Sequence, residues 1–450
     1  MTINPPQGEI KQAIFNSSMS ENNQEFNWRH CWYPITFLQD FPKELPYSFS
    51  LYDEPFVLFR NQDGKLGCLP DICPHRAAKL SDGQIIDGKI ECLYHGWQFG
   101  TDGQCLHIPQ LPKEATIPKN ACVQSFAIVE RQGIVWMWAG EADAADETLI
   151  PAIPELDKPE FVTTDFMCNI PYDQNTLIEN AIDPAHVPIS HNGTLGNRAE
   201  ALPLEMEIIA KSVQGICGRY RNVSSSLSPW ININFVAPNL VMLYIPINEE
   251  RGWYRGAAAY SIPLGKNQCR VLFRAFQNFS QWRLKLTPRW LEHWYRQKVL
   301  QQDMQQAAGQ QKHIERLIKS PRELYLPLKT SDLFPVEYRK WLDKYGSSLP
   351  FYQGYTTCKT NYEQKIVSLS TNDRFESHTQ ICSSCDRAYR VTKLVKHILV
   401  SVAITLAAFA ILTDDSWISS VAVVTSLLAV ILVFIAQKVK TKFERSDTRH

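Results

Sequence analysis

The 450-residue chain has no excess of either charge: 46 basic residues stand against 46 acidic ones, so its electrostatics offer no argument for a nucleic-acid partner. No internal repeat or low-complexity tract stands out. Its twelve cysteines lack the paired spacing of a disulfide scaffold, which argues for a reducing compartment. The first 24 residues hold Glu9, Lys11 and Glu21 but no apolar run, which excludes a secretory signal, and they are too short and too poor in arginine for a plastid leader. Long uncharged runs lie at the other end, where His397–Thr413 and Trp417–Ala436 are separated by Asp414-Asp415-Ser416.

What the chain does have is a compact set of metal-ligating side chains. Cys73-Pro74-His75 and Cys92-Leu93-Tyr94-His95 form C-x-H, sixteen residues, C-x-x-H. A Rieske [2Fe–2S] centre uses two thiolates on one iron and two imidazoles on the other. A structural zinc also accepts two cysteines and two histidines, but its like ligands are usually neighbours, C-x2-4-C then H-x3-5-H, whereas each half here offers one of each. Turn signals at Ser81-Asp82-Gly83, Asp87-Gly88 and Asp102-Gly103 suit ligand loops presented by short strands. Rieske proteins of respiratory and photosynthetic complexes raise their potential with an extra disulfide and a serine. Ala78, Tyr94 and Trp97 stand at those positions here, which points to the low end of the range of about −150 to +300 mV. Such a centre passes single electrons, so the chain is either a carrier or an enzyme that consumes them.

About a hundred residues on, Asp183-Pro184-Ala185-His186-Val187-Pro188-Ile189-Ser190-His191 contains D-x-x-H-x4-H. Two histidines and one carboxylate make the facial triad of non-haem Fe(II) oxygenases, with coordination positions left for O2 and substrate. A helix through Asn175–Ile182 should stop at Asp183, because Pro184 cannot continue its hydrogen-bond ladder. By itself H-x4-H reads more readily as two surface histidines; the upstream cluster motif and Asp183 at its offset reverse that in favour of iron.

Together these motifs resemble the catalytic subunit of the Rieske non-haem iron oxygenases. Phe26–Pro34, Tyr325–Asp332 with Arg339-Lys340-Trp341, and His378-x3-Cys382-Ser-Ser-Cys385 are similar to the branch holding pheophorbide a oxygenase (lethal leaf spot, or cell death suppressor), the translocon-associated Rieske protein and protochlorophyllide-dependent relatives. The resemblance implies that Cys73, His75, Cys92 and His95 hold a [2Fe–2S] cluster and that His186 and His191 hold a mononuclear Fe(II). It also implies that Asp183 bridges a cluster histidine of one subunit to an iron histidine of the next in a homotrimer, and that Asn180 lies near the iron. The third iron ligand should be an acid on a downstream helix. In Trp294–Gln310 the only carboxylate is Asp303, set as in the family except that Gln302 replaces a glutamate; Asp332 is the next candidate.

The expected fold is α+β. A flexible stretch (1–26) precedes an all-β Rieske domain (27–140). A Pro-rich linker at Leu149–Pro154 leads to an antiparallel-sheet, helix-grip iron domain (155–345). An extension with the C-x-x-C (351–386) and a transmembrane hairpin (397–436) complete the chain. Arg387, Arg390, Lys393 and Lys396 before the hairpin, and Lys438, Lys440, Lys442 and Arg445 after its second span, place the catalytic part on the cytoplasmic or stromal side. Cys382 and Cys385 admit three readings: a thiol–disulfide pair addressed by thioredoxin, a zinc site with Cys358 and His378, or two inert thiols. The resemblance implies ferredoxin as donor, O2 as co-substrate and a chlorophyll-derived tetrapyrrole as substrate. Plant members of the branch should carry a longer leader, so a cyanobacterial source is expected. An electron-transfer or import-associated redox protein without mononuclear iron, or a Rieske monooxygenase of another aromatic or lipid, remain the competing functions.

Overall fold

The structure is a computed structural model and describes residues 26–223, 228–357 and 373–445. Contacts divide these into two units. One holds the chain up to Lys285 and resumes at Gln302; the other holds Leu286–Gln301 and the C-terminal region. Residues 1–25 of the stretch expected to be flexible lie outside the described residues. Phe26, placed in that stretch, is instead buried, with its N–H on Tyr345 O at 3.2 Å.

The N-terminal part of the first unit is all-β. One sheet orders Trp32–Phe37, Ile134–Trp138 and Ile128–Arg131; a second orders Tyr47–Leu51, Glu54–Arg60 and Leu66–Pro70; a third is the small meander Gln84–Ile86, Lys89–Glu91, Gln98–Phe99 and Cys105–His107. The first Cys–His loop follows the Leu66–Pro70 strand, and the second is the connection between Lys89–Glu91 and Gln98–Phe99. Val57, Phe59, Leu69, Leu80, Ile90 and Phe99 form a buried cluster into which Cys73 and Cys92 themselves pack. The two thiols are thus rooted in a core, not hung on free loops.

The C-terminal part is a seven-stranded antiparallel sheet in the order Val162–Ile170, Gln268–Gln277, Trp253–Gly265, Leu240–Asn248, Ile231–Val236, Gly215–Asn222, Leu204–Ser212. The helix Gln174–Ala181 starts where Asp173 accepts the Thr176 N–H at 2.8 Å, and it ends just ahead of Asp183-Pro184 as the proline demands. The helix Leu333–Tyr345 lays Tyr338 and Trp341 edge-on against Phe235, with ring centroids 4.9 and 5.1 Å apart. Gly218 is needed beneath it, since a Cβ there would lie 2.3 Å from Phe334. Buried Arg339 of this helix donates to Glu179 of the Gln174–Ala181 helix, at 2.7 Å through Nε, and to Gln353 O at 2.8 Å. Removing one member of a buried pair costs about 3–5 kcal/mol, so this clamp fixes the helix that leads into the iron motif. The long helix Arg289–Leu317 buries Met304, Ala307, Ala308, Gln311 and Ile314, the i, i+3, i+4 stripe of a single face.

Two arginines on one face of the Gln268–Gln277 strand join the β-rich part to this sheet. Arg274 makes a bidentate pair with Asp165, at 2.6 and 2.8 Å, and donates to Gln132 O at 2.5 Å; Arg270 reaches Asn169 at 2.7 Å and the Tyr47 hydroxyl at 2.6 Å. Both are buried.

In the second unit Ser383–Leu412 and Ser416–Glu444 form an antiparallel pair, both long and apolar enough to cross a membrane. Each extends beyond the spans read from the sequence. Within the apolar spans their buried positions are small, Ala403, Ala410, Ala422, Ser426, Ala429 and Ala436, and Ser426 Oγ donates to Ala403 O at 2.8 Å. Leu427, Leu428, Ile431 and Phe434 face outward. Small residues between helices and large ones outside is the packing that lipid selects. Asp415 caps the second helix by accepting from the Trp417 and Ile418 N–H groups.

Arg274→Met should destabilise the first unit by about 3–5 kcal/mol, because Asp165 is left charged and buried, and Asp165→Leu with Arg274→Met should recover most of that loss. Chemical denaturation of the detergent-solubilised protein reads both; equal loss in the two variants would show that the pair itself contributes no such cost.

Candidate cluster and iron sites

The two Cys–His loops are built alike. The Cys73 N–H donates to Ala78 O and the Cys92 N–H to Trp97 O, at 2.8 and 2.9 Å; the returning bonds run from Ala77 N–H to Cys73 O and from Gly96 N–H to Cys92 O, at 2.9 and 2.8 Å. Both fifth residues need a left-handed backbone, with φ of 56° at Ala77 and 76° at Gly96. At Gly96 a side chain is excluded besides, because a Cβ would meet Pro109 Cγ at 2.8 Å. The repeated turn brings the His75 and His95 rings to 4.3 Å between centroids, and Trp97 stacks on His75 at 4.7 Å with 4° between planes. His75 Nδ1 is buried without a hydrogen-bond partner. Two buried thiols and an imidazole nitrogen lacking a partner suit a sulfur-bridged iron pair. Tyr94, at the tip of the second loop, is 62% exposed.

At the second site, His186 and His191 flank the single turn Val187–Ser190, which lets residues five apart point the same way. Across from them Asp303 projects from the Arg289–Leu317 helix, and its Oδ2 lies 2.9 Å from His191 Nε2 and 3.5 Å from His186 Nε2. The three ligand atoms lie within 4.8 Å of one another. Burial disfavours a charged His186, but the Asp183 and Asp303 carboxylates outweigh it and push the pKa up to about 10. Burial likewise works against an ionised Asp303, yet the two imidazoles hold its carboxyl well below the usual range. Two histidines and an acid suit ferrous iron.

The other ring nitrogens differ in their surroundings. His191 Nδ1 faces Gln302 Oε1 at 3.1 Å, and the Thr194 hydroxyl lies 2.7 Å from the same oxygen. An acceptor on Nδ1 fixes the tautomer that leaves Nε2 for metal. Asp183 accepts the Ala185 N–H at 2.8 Å through Oδ1 and turns Oδ2 towards His186 Nδ1 at 3.6 Å, a nitrogen that has no hydrogen-bond partner. The site lies beside a cavity of about 380 Å³ lined by Asn180, Asp183, His186, Asp303, Tyr325 and Leu326, among others. Asp332, the alternative acid, also lines it but is occupied in a turn, accepting the Leu328 N–H at 2.8 Å and the Ser331 hydroxyl.

Comparison with known proteins agrees with this arrangement. Residues 31–127 match the Rieske [2Fe-2S] domain and residues 235–320 the pheophorbide a oxygenase domain. The chain is 32% identical to the pea (Pisum sativum) chloroplast protein TIC 55, covering 90% of this chain and 80% of the relative. It is 31% identical to Arabidopsis thaliana pheophorbide a oxygenase, covering 97% and 86%. The chain is a Rieske non-haem iron oxygenase. Within that family it belongs with pheophorbide a oxygenase, and its cofactors are a Rieske [2Fe–2S] cluster and a mononuclear non-haem iron. The fold of dicamba monooxygenase superposes with a TM-score of 0.60 at 23% identity, over 70% of this chain and 96% of that one.

Sequence reading did not assign a role to Gln302, although the departure from glutamate was visible; its partner on His191 is 111 residues away. Nor did it find His293. That residue, with His378, Cys382 and Cys385, forms a second buried group of metal-ligating atoms, while Cys358 lies outside the described residues.

Gln302→Leu should weaken binding of the mononuclear iron about 10- to 100-fold by removing the acceptor from His191, with Gln302→Glu retaining it. Chelator competition followed by iron analysis measures this; unchanged iron retention in the leucine variant would leave Gln302 without that role.

Proposed function

We propose that the protein is a membrane-tethered, ferredoxin-dependent oxygenase of a chlorophyll-derived chlorin. In this reading Cys73, His75, Cys92 and His95 hold the cluster and His186, His191 and Asp303 hold the iron. The observation that carries it is the meeting of two imidazole Nε2 atoms and the Asp303 carboxylate beside an open cavity. When bound, the cluster supplies single electrons and the ferrous ion, with three protein ligands and open positions, supplies O2 activation.

The chain's own residues have separable tasks. Gln302 and Asp183 orient the two imidazoles through their Nδ1 atoms. Asp183 also links His186 to a cluster histidine of a neighbouring copy in a homotrimer, as in the family, and Asn180 beside it contributes a polar amide to the cavity wall. At the cavity rim Leu326 is 91% exposed and Pro327 follows it, an apolar lip for a hydrophobic ligand. The relatives named for pheophorbide a and chlorophyllide a support a chlorin as the substrate class. The two apolar helices keep the chain at a bilayer in which such molecules dissolve, and the basic residues flanking them favour a cytoplasmic or stromal catalytic part. A cyanobacterial membrane is the setting that this reading favours.

Two measurements test the proposal. Oxygen-18 incorporation with reduced ferredoxin across a panel of chlorins and small aromatic acids should label a chlorin product; label only in an aromatic acid would reject the substrate class. Iron analysis should give about three irons per chain, two from the cluster and one from the triad, falling to about two in Asp303→Ala. About two in the native protein would favour an electron carrier. Asp183→Asn should keep all three irons while lowering turnover at least about 10-fold; full activity in that variant would remove Asp183 from the coupling role.

A further inference from the structure

We propose that His293, His378, Cys382 and Cys385 bind one structural zinc ion at the base of the membrane hairpin. All four side chains are fully buried, and their ligand atoms lie within 4.8 Å of one another. His293 Nδ1 is 3.2 Å from His378 Nε2, 3.4 Å from Cys382 Sγ and 3.5 Å from Cys385 Sγ, and His378 Nε2 is 3.3 Å from Cys385 Sγ. A tetrahedral zinc at about 2.05 Å from nitrogen and about 2.3 Å from sulfur requires edges of about 3.4 Å between nitrogens and about 3.6 Å between nitrogen and sulfur. The observed separations are those edges to within a few tenths of an ångström.

Hydrogen bonding alone does not explain the cluster. A ring nitrogen carries either one hydrogen or one lone pair, so His293 Nδ1 cannot satisfy three neighbours at once. An ion at the centre satisfies all four donors together. The two thiols are not joined to each other. Two thiolates and two imidazoles suit zinc, and four protein donors close its coordination shell, as structural sites do.

The surroundings match that role. Trp290, Trp294, Tyr389, Val439 and Phe443 pack around the two cysteines, and Thr379 Oγ1 donates to Phe443 O at 2.6 Å. His293 comes from the Leu286–Gln301 segment, His378 from the turn before the hairpin, and Cys382 and Cys385 from the start of its first helix. One ion therefore pins three segments of the second unit at the membrane end of the chain. Ligation also ties up both thiols, so the pair is not a dithiol open to exchange while the metal is in place. The inference uses none of the residues assigned to the cluster or the iron, and it stands whether or not the substrate proposal does.

Metal analysis of the full-length protein, purified in detergent from zinc-supplemented cells, should find about one zinc per chain besides the iron. Cobalt replacement should give thiolate-to-metal charge transfer and the intense visible bands of a tetrahedral ion. Cys382→Ser with Cys385→Ser should lose the zinc and keep the iron content. Should that variant fail to fold, His293→Cys, which keeps four ligands, should retain zinc against a chelator while His293→Ala releases it. A native protein with no metal beyond its iron, and with Cys382 and Cys385 either freely alkylated or disulfide-bonded, would overturn the assignment.

Discussion

The first unit answers to one constraint: a carboxylate and two imidazoles that are distant in sequence must meet in a buried place, and the cost of taking them out of water must be offset where they meet. Asp303 lies 112 residues beyond His191. A carboxylate alone at that depth would be driven to protonate, as burial drives any isolated charge. Here the imidazoles stabilise its charge, and it helps to stabilise that of His186. The second layer exists to hold this geometry: Gln302 and Thr194 behind His191, Asp183 behind His186, and the Arg339–Glu179 clamp on the helix leading into the motif. None of these groups needs to touch a substrate to matter, because an imidazole turned by a fraction of a radian no longer aims its Nε2 at the metal.

How far this was legible in the sequence follows from the range of each interaction. The two Cys–His loops were readable because each is local: a cysteine, a left-handed fifth residue and a histidine within a few positions, repeated once. His186 and His191 were readable for the same reason, with Pro184 marking where the preceding helix stops. Asp303 was reached through resemblance and the want of any other acid nearby. What lay beyond reading were residues whose partners are remote. Arg270 and Arg274 look like two charges in an otherwise apolar strand, and only the fold shows them spent on Tyr47, Gln132 and Asp165. His293 is a lone histidine on a polar helix until His378 and the two cysteines are brought to it from some 85 to 92 residues away.

The hairpin inverts the rule that governs the rest of the chain. In the catalytic sheet large apolar side chains point inward, whereas in Ser383–Leu412 and Ser416–Glu444 alanines and serines face each other and leucine, isoleucine and phenylalanine face out. In water such a pair would expose its largest apolar surface; in lipid the outward residues cost nothing and the small ones allow close backbone approach. Helices held by small-residue contacts alone can slide or splay at their ends. The buried Cys2His2 group sits at one such end, beside Phe443 and Tyr389, where a fixed point does the most to limit that motion.

The cavity also bears on what kind of molecule the enzyme accepts. Its lining is mostly polar, with Asn180, Asp183, Gln306 and Gln310 beside His186 and Asp303, while Leu326 and Pro327 form an apolar, solvent-exposed lip. A small aromatic acid would place its charge among the Asp183 and Asp303 carboxylates, a repulsion that a cation bound between the two histidines would offset. In the proposed reading a large hydrophobic macrocycle would turn one polar edge to this wall and leave its apolar body against Leu326. Discrimination would then rest on that mismatch rather than on tight enclosure, since a ligand without the apolar body forfeits the lip.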